Sequence, residues 1–460
     1  MINWVHTKYL FNGVDMKGKN FLNVIWFLLS IFFLASCSDP GNPAPGNDSD
    51  GSSTSSSTPG SFDESFNGTG YVIFSDITSM CSLVDLEILP DGKILGLGMK
   101  NDIGVLLFRL NSDGTVDTDF GDNNDGFATV PDYLDNGCAM AIQGDGKILV
   151  IGSESPFHES SYLVRFNADG SFDSSFNNNQ KIEFEDIIVQ KASIQDDGKI
   201  LIAGWLADGR LYDALIQRLN SDGSTDTGFG DNGFFIHSNA AGGTSDRYDQ
   251  IYDIALDDDG GIYATGCSEV NRSTTYMVTW KVDSTGQLDT TFGDDGVFVY
   301  SDLHSWGYGL SLTDDHIYIC GAIKGLEGSF GAADGAIFCL SKDGEKNTSF
   351  GEGDGVFNNA KLGSNYFYSI THDNLGRILV TGTTGADIRK YQGLRLLSNG
   401  TKDPSFIFSS TTVPYEPVAY YDNEGRCIVY SEDLERVYMG GVLHDSESNW
   451  THMNIYCLNN

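Results

Sequence analysis

The chain has 460 residues, with 64 acidic against 27 basic and a formal net charge of −37. That excess argues against nucleic acid, whose phosphates need clustered Lys and Arg, and so no nucleic-acid partner is expected. It equally excludes docking on anionic lipid headgroups through a basic patch.

In chain order, the first feature is an export segment. From Met16, the expected true start, Lys17 and Lys19 precede the apolar run Phe21–Phe33, and Leu34-Ala35-Ser36-Cys37 has the form of a lipoprotein cleavage site. The run is too short, and too closely followed by small residues, for a transmembrane span. Residues 1–36 are therefore read as a signal peptide, and Cys37 as the lipidated residue. Residues 37–59, rich in Ser, Gly, Pro and Asp, cannot bury enough apolar surface to order themselves and read as a flexible tether. By resemblance to known lipoprotein sorting rules, Ser38 after the Cys implies the outer membrane, on the surface or the periplasmic side, with the membrane touched only through the lipid.

Residues 60–460 carry a repeat. "LNSDGTVDTDFG" (110–121) returns as "NADGSFDSSFN" (167–177), "NSDGSTDTGFG" (220–230), "DSTGQLDTTFG" (283–293), "SKDGEKNTSFG" (341–351) and "LSNGTKDPSFI" (397–407), with a partial copy, "PGSFDESFN", at 59–67. The shared Phe falls at 66, 120, 176, 229, 292, 350 and 406, at intervals of 53 to 63 residues. A sustained period of this length marks a solenoid, array or propeller. Within each period an apolar stretch leads to a hairpin turn, as at Asp91-Gly92, Asp145-Gly146 and Asp197-Gly198. A run such as "KILVIG" follows, apolar on consecutive positions as in a strand buried on both faces. Then come a variable loop, a third strand, the Asp-rich motif and a fourth strand. Four short antiparallel strands per period predict an all-β fold, a seven-bladed β-propeller. The C-terminal "YCLNN" and the N-terminal "GSFDESFN" together rebuild one copy of the motif. The N-terminal strand should therefore pair with the three C-terminal strands and close the ring. The alternative is an open β array.

These units resemble the delta-60 repeat family of bacterial exported proteins, carried by the "DGKI" turn and the R-L-N-x-D-G-x-x-D-x-x-F-G run at 109–121 and 218–230. The resemblance implies a propeller-like fold and no established activity. Copies five to seven depart from it: Asp314-Asp315-His316 lacks the hairpin Gly, Asn347 replaces the motif Asp, and the last hairpin is "SEDLERVY".

The motif is expected to be architectural. It lacks the bidentate Glu of an EF-hand, and Arg109, Arg165 and Arg218 stand where a calcium loop would begin with an Asp. Asp113-Gly114 makes a turn, Asp117 accepts backbone N–H groups, and Phe120 plugs the gap between blades. No cofactor is expected, with calcium as the alternative. Nor does any copy have the spacing or Trp of a sialidase Asp box. Of the seven Cys after Cys37, buried free thiols are expected, with Cys320–Cys339 the best candidate for a disulfide.

Strand parity puts the Asp-Gly turns and the motif on one face and the irregular loops on the other, where function tends to sit. Trp205, Trp306, Tyr308 and Trp450 are the candidate ligand-binding residues there, offering flat apolar faces with polar edges. With no H-x-H, no H-E-x-x-H and no G-x-S-x-G, the chain is expected not to be an enzyme. The reading is a monomeric cell-envelope lipoprotein that binds a glycan or a surface protein. The alternatives are a polysaccharide hydrolase or lyase acting at the channel mouth, or a structural envelope protein. The discriminating observation is whether carboxylates, Arg or His from several blades gather at the channel mouth, or a broad apolar-aromatic patch does.

Overall fold

The computed structural model describes residues 58–460, apart from 75–80, 101–103, 131–133, 135, 154–160, 179–180, 209–210, 244–247, 325–332, 360–364, 386–388, 409–422 and 445–450. The signal expectation, the tether up to residue 57 and Cys37 lie outside the described residues, as does Trp450. Among the described residues the chain is all-β, its one helical element being the 3-10 turn Phe176–Asn178, and no helix is long and apolar enough to cross a membrane.

Seven antiparallel sheets form the seven blades. Blade 1 is β2 (Cys81–Ile88), β3 (Ile94–Lys100), β4 (Gly104–Leu110) and β5 (Phe127–Thr129). Blade 2 is β6 (Asn136–Ile142) to β9 (Ile182–Phe184), blade 3 is β10 (Ile187–Ile194) to β13 (Phe234–His237), and blade 4 is β14 (Asp249–Leu256) to β17 (Val297–Tyr300). Blade 5 runs from β18 (His304–Leu312) to β21 (Val356–Asn358), and blade 6 from β22 (Asn365–His372) to β24 (Lys390–Leu396), with three strands in the described residues. Blade 7 joins β25 (Glu424–Ser431), β26 (Arg436–His444) and β27 (Thr451–Asn459) to β1 (Tyr71–Ile73). The closure predicted from the chain ends is present: Tyr71 pairs with Tyr456 and Ile73 with Asn454, and the Gly60 amide donates to the Asn459 carbonyl at 2.7 Å. The first strand of every blade touches the first strand of the next, all the way round the ring.

The motif is the seam between blades. Phe66, Phe120, Phe229, Phe292 and Phe350 are fully buried and Phe176 nearly so. Each such ring is worth roughly 2–3 kcal/mol in burial alone. Each seats under the motif glycine of the next blade. At Gly170, whose φ is +84°, an added Cβ would lie 2.8 Å from the Phe120 ring, so the turn and the plug both require glycine there. Phe406, at the join with the divided seventh unit, is half-buried.

Charge reinforces the plug. Asp117 accepts from Arg109 Nε at 2.6 Å and from Lys93 Nζ, on the facing hairpin turn, at 2.8 Å. That contact places the turn and the motif on one face, as parity predicted. The Arg109 guanidinium lies 4.6 Å from the Phe120 centroid and donates to the Ala168 carbonyl of blade 2 at 2.6 Å. Blade 2 repeats the arrangement with Arg165, Asp173, Lys147 and the Ser221 carbonyl, and blade 3 with Arg218, Asp226, Lys199 and the Ser284 carbonyl. The turn reading of the motif holds: Asp113 accepts from the Thr115 amide and hydroxyl, and Asp117 from the Asp119 amide. The ion pairs were not foreseen, although the arginines had been noticed. The proposed Cys320–Cys339 disulfide is corrected. Cys320 faces Ile337 while Cys339 faces Tyr318, an offset of two residues, and Cys267, Cys320, Cys339, Cys427 and Cys457 are buried free thiols.

Candidate functional site at the central channel

The seven first strands line the channel, and each has a bulge at the same place. Pairing with the second strand skips one residue, such as Val84, Gln190, Tyr252, Tyr308, Tyr368 or Arg426. The extra residue turns two consecutive side chains to the same side, and the burial pattern records it: in β2, β10, β14 and β22 the buried and half-buried positions alternate until the bulge, where two half-buried residues fall together. The bulge needs a bare backbone on the facing strand. A Cβ on Gly266 would sit 1.8 Å from the Gln250 carbonyl oxygen. The glycine that ends "KILIAG" in the sequence is this residue type at this place.

The bulges give the channel its chemistry. Tyr252, Tyr308 and Tyr368 come from blades 4, 5 and 6, with ring centroids 5.5 Å and 5.8 Å apart in succession. Tyr366 stacks near Tyr368, 6.1 Å away and 3° from parallel. Arg426 of blade 7 lies over Tyr368 at 5.3 Å and Arg389 over Tyr366 at 5.8 Å. Both arginines pair with Glu424, Arg389 at 2.9 Å. Burial pushes the phenols of Tyr252, Tyr308 and Tyr368 well above their ordinary range, so they keep their protons.

Below this wall, toward the turn face, sit four charged groups from three blades. Asp85 accepts from the Met140 amide of the next blade at 3.1 Å and lies 3.9 Å from Lys191. Asp253 accepts from the Leu310 amide of its next blade at 2.8 Å. Burial, and after it the charge of Asp85, pushes Glu87 up to about 7 against the pull of Lys191. Asp253 is pushed by burial up to about 6, again opposed by Lys191. Lys191 itself is held above its ordinary value, chiefly by Asp85. A carboxyl bearing its proton near neutrality, beside a carboxylate held by a lysine, is a pairing suited to proton transfer.

The structure places the sequence candidates unequally. Trp306 and Tyr308 lie on the half-buried, channel side of β18. Their expected loop at 302–308 is mostly strand. Trp205 is corrected: it belongs to strand β11 (Ile200–Asp208), is 8% exposed, and packs between Tyr212 and Tyr252 at 6.1 and 6.0 Å. The residues that sequence reasoning missed are Tyr252, Tyr368, Arg426, Glu87 and Lys191. The available signal was the aligned first strands "DQIYDIAL", "HSWGYGLSL" and "NYFYSITH", each with a Tyr at the bulge position.

A family model described as "Domain of unknown function (DUF5122) beta-propeller" matches residues 143–176 and 195–229. No curated protein matches the sequence. Among solved structures, the polysaccharide lyase Uly1 is similar at 11% identity and a TM-score of 0.48, over 81% of this chain and 89% of that one. An ulvan lyase of family PL25 is similar at 10% identity and 0.45, over 81% and 91%. The β-propeller domain of the Trilobed protease from Pyrococcus furiosus is similar at 8% and 0.41, over 82% and 93%. The expectation of a non-enzymatic chain is corrected here: two of these similar propellers are polysaccharide lyases. At such identities the likeness is one of fold, and the chain is a seven-bladed β-propeller similar to them in that respect.

Proposed function

We propose that this protein is a glycan-active enzyme, first a hydrolase, working at the channel from its variable-loop side. The carrying observation is the convergence there of Tyr252, Tyr308, Tyr368, Arg426, Glu424, Lys191, Asp85 and Glu87 from blades 1, 3, 4, 5, 6 and 7. The ring wall stacks sugar faces, with Trp306 and Tyr308 at its entrance. Arg389, Arg426 and Glu424 hydrogen-bond hydroxyls. Glu87 delivers its proton to the leaving glycosidic oxygen, while Asp85 supports the developing positive charge or the attacking water. β-Elimination from a uronate is the second reading, favoured by Arg426 over Tyr368. The raised phenols stand against a tyrosinate base and rank it second.

The test is release of reducing ends from a panel of neutral and acidic polysaccharides by the domain from residue 60 onward. Glu87→Gln should lower kcat by about 100-fold or more with KM kept, and Trp306→Ala or Tyr308→Ala should raise KM. An unsaturated product would select the lyase. No turnover on any polymer, or equal turnover by Glu87→Gln, would sink the assignment to Glu87.

The repeat grammar supports placing the chain with the delta-60 repeat proteins. The leader supports display from the outer membrane by a lipid on Cys37, with residues 37–59 as tether. Mass spectrometry of the membrane-extracted protein checks this: a Cys37-terminal diacylated peptide is expected, and an unmodified Cys37 refutes it.

A further inference from the structure

The opposite face carries a second feature, independent of the channel. In blades 1, 2 and 3 an arginine leaves the third strand, pairs with the motif Asp, and donates to the motif carbonyl of the next blade at 2.6, 3.0 and 2.6 Å. Arg395 of blade 6 and Arg436 of blade 7 make the corresponding cross-seam bonds, to Asn460 Oδ1 at 2.9 Å and to the Ser112 carbonyl at 3.1 Å. Blade 5 has none of the parts. Cys339 replaces the arginine, Asn347 the aspartate and His316 the turn lysine. Blade 4 keeps Lys281 with Asp289 but has Gly261 in place of the turn lysine.

Across blades 4 to 6, spanning the blade 5 seam that lacks these parts, a cavity of about 1030 Å³ opens on the turn face. Its wall includes His316, Tyr318 and Asn347 of blade 5 and Ser398 of blade 6. Ser398 stands in its motif where Ala168, Ser221 and Ser284 stand in theirs, at the carbonyl that accepts a guanidinium in the sister seams. Asp257, Asp258, Asp314 and Asp315 also border it, together with Lys342, with Lys281, already paired with Asp289, and with Asp373, already held by Arg377 at 2.6 Å. Five seams of the same molecule thus show what this place holds when filled: a guanidinium between a motif side chain and the next blade's loop.

We infer that this cavity receives an arginine side chain of a basic peptide partner, which takes the position left by the missing arginine. Asp257, Asp258, Asp314 and Asp315 supply the complementary charge, outnumbering Lys342 on the same wall, and the fork of the guanidinium suits two acceptors at once, as a lysine ammonium does not. Polar walls and the volume accommodate a peptide turn around that side chain.

The probe is a tetra-arginine peptide, titrated by calorimetry and mapped by NMR shifts on the domain, against tetralysine and spermidine. Arginine should bind more tightly than lysine by about tenfold, with shifts confined to blades 4–6. Copying the sister blades with Tyr318→Leu, Cys339→Arg and Asn347→Asp should fill the place and abolish binding. Since that triple variant rebuilds a core, Asp258→Asn with Asp315→Asn serves as the surface variant and should weaken binding without unfolding. Equal affinity for all three probes, or shifts spread around the ring, would show bulk attraction to a chain of charge −37 and overturn the inference. So would undiminished binding in the folded triple variant.

Discussion

Blades 2 and 5 are built from the same repeat, yet their third strands solve the same packing problem with opposite chemistry. In blade 2, Leu149 faces Arg165, and the guanidinium covers Phe176 at 4.3 Å. In blade 5, Tyr318 faces Cys339, and the Tyr318 ring covers Phe350 at 5.8 Å. Blade 7 makes the same exchange with Tyr438, Cys457 and Phe66, and blade 4 an intermediate one with Tyr263, Lys281 and Phe292. Leucine with arginine and tyrosine with cysteine fill similar volumes over the plug, so packing is conserved while the ion pair is not. The seam tolerates loss of the charge because Phe burial, not the salt bridge, holds it. What the exchange releases is surface chemistry: in blade 7 Arg436 refills the place by pairing with Asp63 at 2.6 Å, and in blade 5, where His316 stands instead, the turn face is open.

The comparison is broken most sharply by truncating each blade's own seam residue. Arg165 is 9% exposed and bonds Asp173, Gln143 and the Ser221 carbonyl. Arg165→Ala leaves Asp173 to Lys147 and Ser175 and removes the bonds to Gln143 and the Ser221 carbonyl, and should cost about 2–3 kcal/mol in denaturant unfolding. Cys339→Ala removes one sulfur that meets the Asn347 amide and the Tyr318 hydroxyl in weak hydrogen bonds, and should cost about 1 kcal/mol. Equal costs would mean that the ion pair is incidental in blade 2 as well. Lys281→Ala sharpens the series. Its pair with Asp289 is 3.0 Å long but partly exposed, 19% and 24%, so about 1 kcal/mol or less is expected.

Much of this contrast was legible before any coordinates. The period, the Asp-Gly turns and the divided last unit lead directly to the ring, because each reports a local constraint: a positive φ, a buried strand, an unpaired edge. Asn347 and the irregular turn at Asp314-Asp315-His316 were visible as departures, but their meaning was not, since the Arg–Asp pairing they dismantle joins residues across a blade and its neighbour. The channel was hidden for a different reason. A bulge shifts side-chain parity by one residue, so strict alternation assigns Asp85, Lys191 and Asp253 to the wrong side. Trp205 misled because its strand runs further than the turn signals implied, burying a residue expected at a loop tip.

The last separation is between the turn face and the channel, which should titrate in opposite directions. On the turn face Asp289 is held down to about 2 from 3.8, by the Thr291 hydroxyl and then by Lys281. Asp117, Asp226 and Asp403 are also lowered, burial opposing and hydrogen bonds from their neighbours prevailing. Depressed carboxyls lend stability that is complete above about pH 4 and is lost as pH falls toward 2. In the channel Glu87 rises from 4.5 to about 7 and Asp253 from 3.8 to about 6. There the folded state binds more protons than the unfolded one, so stability is greatest below about pH 4 and declines as pH climbs through 7. Tm against pH should therefore show a maximum at mildly acidic pH, falling on both sides. Glu87→Gln, which cannot ionise, should flatten the decline between pH 4.5 and 7 and leave the acid limb unchanged. A Tm profile whose neutral limb is identical in the variant would place the Glu87 carboxyl in ordinary solvent and remove it from the proton-transfer role.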